Sequence, residues 1–141
     1  MKKWFWISFL LLFVVGCQDE VMVEEEIPML QVTIQTPEQL EVGEIKLRAE
    51  VLNGTKPVEN ADEVIFEVWK SGEFEQSVKI DGIYNDGVYE ADYTFTEDGV
   101  YYMYAHTTAF NLHTMPKQQL IVGSPNMEDV KKDNSSAKMH H

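Results

Sequence analysis

Asp98-Gly99-Val100-Tyr101-Tyr102-Met103 sets the reading of the whole chain. A glycine turn ends there, and a strand begins that keeps strict period two to about Thr108. One face of that strand carries Tyr101, Met103, Ala105 and Thr107, and the other carries Tyr102, Tyr104 and His106. A tyrosine two residues after a glycine, at the head of a late strand, has the placement of a tyrosine corner, in which the phenol bonds back to the backbone upstream. Met103 then falls at a core position. The other reading of Tyr101 is one more aromatic in a strand rich in them.

Outward from this strand the same period recurs. Leu30-Gln31-Val32-Thr33-Ile34 is closed by Pro37. Residues 45–51 alternate and stop at Asn53-Gly54, a strong turn dipeptide. Residues 64–69 are nearly continuous in apolar character, as a central strand is. Shorter strands are expected over 78–83, 88–95 and 118–122, separated by Asn85-Asp86-Gly87 and Glu97-Asp98-Gly99. About seven short strands at this spacing, with no sustained helical period, predict an immunoglobulin-like antiparallel β-sandwich over residues 30–123.

The flanks differ from this domain. Lys2 and Lys3 precede an apolar run that ends in Val15-Gly16-Cys17, the pattern of a secretory signal followed by a lipidated cysteine. The alternatives are a buried structural cysteine or an uncleaved anchor, but the run from Trp4 to Gly16 is short against the roughly 20 residues a membrane span needs. Residues 1–16 are therefore expected to be a lipoprotein signal peptide and Cys17 the lipidation site. Residues 17–29 read as the lipidated cysteine and an acidic tether, and residues 124–141 as a disordered tail. Without residues 1–16, 125 of the 141 residues remain, with 9 Lys and Arg against 24 Asp and Glu, a net charge of −15. Such a chain is unsuited to nucleic acid, whose affinity comes from basic residues on phosphates. Cys17 is the sole cysteine, so no internal disulfide is possible.

Where the late strand ends and the next begins stand His106, His113 and Met115. Two imidazoles and a thioether suit copper, the thioether favouring the cuprous ion. Alternation puts His106 on the outer face of its strand and His113, Met115 and Lys117 on the outer face of the next. A two-residue turn at Phe110-Asn111 sets His106 opposite Met115, and a longer turn over residues 108–111 sets it opposite His113. A bulge at Pro116 would break either register. The plain alternative is that His106 bonds a neighbouring backbone group and His113 belongs to a loop.

On residues 64–69, Phe66 and Val68 are the natural core pair, leaving Ile65, Glu67 and Trp69 outward. Trp69, Tyr102 and Tyr104 then form an exposed aromatic face beside His106, a contact surface for a partner. The alternative makes Trp69 the core tryptophan of the fold, with the opposite alternation. No nucleophile elbow, metalloprotease helix motif or phosphate loop is present, and enzymatic chemistry is not expected.

The run from Pro57 to Trp69 resembles the YtkA-like domain, as do Asp86-Gly87-Val88-Tyr89, Phe95, Gly99-Val100-Tyr101, His106, His113-Thr114-Met115-Pro116 and Val122-Gly123. That family is related to FixH-like proteins and occurs in Gram-positive lipoproteins and membrane proteins. The resemblance implies an immunoglobulin-like sandwich outside the membrane. Through FixH-like relatives associated with cation pumps, it also implies copper at His106, His113 and Met115. The expectation is a lipid-anchored extracytoplasmic binding domain on the bacterial cell membrane. Its partners would be the membrane, reached through Cys17, and a membrane or metal-handling protein. The alternative is an interaction module that docks a membrane partner through Trp69, Tyr102 and Tyr104 without metal.

Overall fold

A computed structural model describes residues 26–130 together with Gly16 and Asp133. Cys17, most of the signal segment, the first part of the tether and the end of the tail lie outside the described residues.

Among the described residues eleven strands follow one another: β1 (Leu30–Ile34), β2 (Gln39–Leu40), β3 (Gly43–Asn53), β4 (Lys56–Pro57), β5 (Glu63–Lys70), β6 (Val78–Asp81), β7 (Ile83–Asn85), β8 (Val88–Phe95), β9 (Gly99–Ala109), β10 (Leu112–Thr114) and β11 (Lys117–Val122). Two 3₁₀ turns, Phe74–Gln76 and Met127–Asp129, complete the described elements. One sheet has the order β1-β3-β8-β7, with β4 on β3. The other has β2-β11-β9-β5-β6, with β10 on β9. All pairings are antiparallel except β2 on β11. The seven strands of four residues or more take the places expected of an immunoglobulin-like sandwich.

Between the sheets lie Leu47, Phe66, Val68, Phe95, Met103, Ala105, Leu120 and Val122, all essentially closed to water. Each such large apolar side chain stabilises the fold by about 1.5–3 kcal/mol relative to exposure. The inward alternation of β9 holds: Tyr101, Met103, Ala105 and Thr107 are buried. Tyr101 forms the corner, its hydroxyl donating to the Glu97 carbonyl at 3.2 Å. A second tyrosine bond fixes the loop ahead of β5, since Tyr89 donates to the Val58 carbonyl at 2.6 Å and accepts from the Ala61 amide at 3.0 Å.

The expected strand over 78–83 is two strands in different sheets. The chain leaves β6 at Asp81 and joins β7 at Ile83, crossing the open side of the sandwich at Gly82. The Gly82 amide bonds the Val64 carbonyl at 2.8 Å, and a Cβ there would sit 3.1 Å from both the Phe66 and the Val64 side chains. Only a residue with no side chain passes that close to the core without displacing it. The short β2, β4 and β10 have too few residues to show a period. Residues 124–130 of the expected tail include the 3₁₀ turn Met127–Asp129, where Asn126 accepts from the Glu128 amide at 3.1 Å.

Candidate functional site on the outer face of the β9 sheet

The hairpin from β9 to β10 is a two-residue turn. Phe110 and Asn111 both have positive φ, 54° and 60°, as a type I′ turn requires. His113 therefore pairs with Thr108 and Thr114 with Thr107. The pairing of Lys117 with Tyr104 continues the same register into β11, so Met115 stands opposite His106 and Pro116 opposite Ala105. Pro116 introduces no bulge, and its carbonyl accepts from the Ala105 amide at 3.1 Å. In an antiparallel ladder the pairs flanking a hydrogen-bonded pair are the close ones. His106 with Met115 and Thr108 with His113 are such close pairs, with Cβ atoms about 5 Å apart.

All three expected ligands thus share one face. The rings of His106 and His113 lie 6.0 Å apart between centroids, with planes inclined by 27°. His113 is exposed, while His106 and Met115 are partly covered. Two imidazoles with a thioether across the ladder are a donor set that suits a soft cation. Among the described residues no three His, Cys, Asp or Glu side chains converge as a metal cage. Such a site therefore depends on Met115 as its third donor.

Sequence reasoning missed the groups that hold these rings. Glu67, only 5 % exposed, places Oε1 2.8 Å from Nε2 of His106 and accepts at Oε2 from the Ser77 hydroxyl at 2.5 Å. The Thr108 hydroxyl lies 2.9 Å from Nδ1 of His113. Alternation had already put Glu67 on the outer face with His106. The missing signal was the register of β5 on β9, which sets Glu67 opposite Tyr104 and Ile65 opposite His106.

The aromatic face is where the structure corrects the sequence reading. Trp69, Tyr102 and Tyr104 are on the outer side as expected, but they are not an exposed contact surface. Trp69 is 2 % exposed and Tyr104 5 %, and Tyr102 is half-buried. The chain after β5 folds back over them and sets the ring of Phe74 edge-on to Trp69 at 4.9 Å. The ammonium of Lys117 lies 5.5 Å from the Tyr102 ring centre and 5.9 Å from that of Tyr104. Lys117 is also paired with Asp133, a hydrogen bond that raises the lysine pKa. Among the described residues the buried indole N–H of Trp69 has no hydrogen-bond partner. Trp69 is thus a core tryptophan, but of a small core outside the sandwich and not of the one between its sheets.

Residues 24–106 match the YtkA-like family, more than half of the 141 residues. The chain belongs to the YtkA-like family. The match ends on His106, so His113 and Met115 stand beyond it and the family assignment does not itself carry them. No curated protein matches this YtkA-like chain. Among solved structures, an engineered protein aligns with a TM-score of 0.57 at 17 % identity, over 68 % of this chain and 20 % of that one. The endo-β-1,4-mannanase from Thermotoga petrophila aligns at 0.48 and 13 % identity, over 72 % and 21 % of the two chains. The superoxide reductase (neelaredoxin) from Ignicoccus hospitalis aligns at 0.45 and 13 % identity, over 67 % and 82 %. This chain spans about a fifth of the length of the first two, and the likeness to the engineered protein is one of fold.

Proposed function

We propose that this YtkA-like sandwich is a lipid-anchored, extracytoplasmic, non-enzymatic binding domain that holds a single copper ion, in its cuprous state, at His106, His113 and Met115. The observation that carries the reading is the unbroken register from β10 into β11, which gathers two imidazoles and a thioether on one face. When bound, the ion is the cargo, and the protein supplies soft donors on a rigid sheet. The resemblance to FixH-like proteins, which are associated with cation pumps, would be in keeping with this cargo. The anchor rests on Lys2, Lys3, the apolar run and Gly16-Cys17. The acidic tether keeps the domain close to membrane proteins that deliver or receive the ion. Docking through Trp69 and Tyr104 loses its support, because those side chains are covered.

Every described strand and both apolar clusters lie within residues 30–122, so residues 18–141 contain all of the described strands and clusters. With residues 134–141 removed, to exclude His140 and His141, the reduced protein is expected to take up one equivalent of Cu(I). His106→Ala combined with His113→Ala abolishes uptake, and Met115→Ala weakens it. An unchanged titration in the double variant sinks the site.

A further inference from the structure

We infer that Glu67 is the positioning residue for His106, holding the ring with its proton on Nε2 and leaving Nδ1 as the nitrogen offered to a metal. The assignment of a ligand nitrogen rests on the copper reading above, whereas the placement of the proton does not.

An ionised carboxylate only accepts hydrogen bonds. Glu67 is buried on the outer face of β5, and each of its oxygens has one donor within reach: Ser77 at 2.5 Å and Nε2 of His106 at 2.8 Å. With the proton on Nδ1 instead, the ring would turn a lone pair toward a carboxylate oxygen that burial denies to water. Leaving such an acceptor unmet costs about 1–3 kcal/mol, and more for a charged group. Ser77 follows directly on the 3₁₀ turn whose Phe74 covers Trp69, so the segment that closes the aromatic cluster also anchors the carboxylate.

Thr108 acts in the opposite sense on His113, occupying Nδ1 and leaving Nε2. The two rings therefore offer different nitrogens, Nδ1 of His106 and Nε2 of His113. Metal-binding histidines commonly have their second nitrogen held in this way, and loss of that hold lowers affinity about 10–100-fold.

The test is carried out on the full chain, ¹⁵N-labelled and free of metal, by recording long-range ¹⁵N–¹H correlations of the imidazoles at alkaline pH. His106 is expected to show a protonated Nε2. Glu67→Gln, whose amide oxygen still accepts, keeps that pattern, and Glu67→Leu loses it. His113 keeps its pattern in both, which also reports that the variants remain folded. Should Glu67→Leu fail to fold, Ser77→Ala removes only the second donor to Glu67 and is expected to shift the His106 signals alone. Titration with Cu(I) against a competing chelator is then expected to show affinity about 10–100-fold lower in Glu67→Leu, with most of the loss restored in Glu67→Gln. An unprotonated Nε2 in the native chain, or an unaltered His106 pattern in Glu67→Leu, overturns the inference. A native chain with the expected His106 pattern and no Cu(I) uptake overturns the copper reading and leaves the proton placement standing.

Discussion

Trp69 and Tyr102 stack across β5 and β9 with ring centroids 5.9 Å apart and planes 26° apart, on the side of the sheet that faces away from the sandwich. Two aromatic residues on the outer face of a sheet ordinarily suggest a binding surface. Here Phe74 and Tyr104 close around the indole, and the group behaves as a second core.

Trp69→Ala is accordingly expected to destabilise the fold by about 3–5 kcal/mol, the range for emptying a buried tryptophan site. Trp69→Phe costs less than Trp69→Ala, because much of the ring is kept and the N–H it removes has no partner among the described residues. Urea denaturation of both variants measures this. Native stability in Trp69→Ala would return the residue to the role of an exposed contact.

Phe110 is a bulky residue held at φ 54° and 45 % exposed. The left-handed region costs an ordinary residue about 1–2 kcal/mol, whereas asparagine enters it readily. Phe110→Asn is therefore expected to raise stability by about 1 kcal/mol while leaving the β9–β10 register intact. A shifted midpoint in thermal unfolding shows the first effect, and unchanged cross-strand contacts between Thr108 and His113 show the second. A loss of stability would mean that the Phe110 ring supports the fold despite its exposure.

The alkaline limit of stability follows from buried phenols. Burial pushes Tyr89, Tyr93 and Tyr101 above the ordinary 10.0 of a tyrosine. These residues stay neutral in the folded chain after the unfolded chain has begun to ionise, so the unfolded state binds fewer protons and stability falls as pH rises. Lys70 and Lys117 act in the same direction. Hydrogen bonds to Glu97 and Asp133 raise them above 10.5, so their contribution is complete below that value and is lost as pH rises through the folded value. The urea midpoint should hold steady up to about pH 10 and fall beyond it, with a shallower fall in Tyr101→Phe. A midpoint that stays level to about pH 11 contradicts this account.

Much of the fold was legible because its strands are long enough to alternate. The inward set on β9, the corner at Tyr101 and the outward set holding His106, His113 and Met115 all follow from period two. Period two does not say what lies above an outer face, and so Trp69 and Tyr104 looked exposed. Their cover comes from the loop residue Phe74, which no strand pattern locates. Glu67 escaped as a site residue for a related reason: its role depends on the register of β5 on β9, a pairing between strands far apart in sequence. The crossing at Gly82 was hidden because four residues before it and three after it look the same as one interrupted strand.

The chain enters the sandwich twice before the first long strand is complete. β1 pairs with β3 in one sheet and, a few residues later, β2 pairs in parallel with β11 in the other. In mechanical terms, a pull on the residues ahead of Leu30 meets the β1 pairings in one layer before it can reach β2 in the other. Along β1 it loads five consecutive pairings in shear, where peeling from an edge would break them one at a time. Pulled at its N-terminal side against a partner on its far side, the domain would resist through all five of these pairings together.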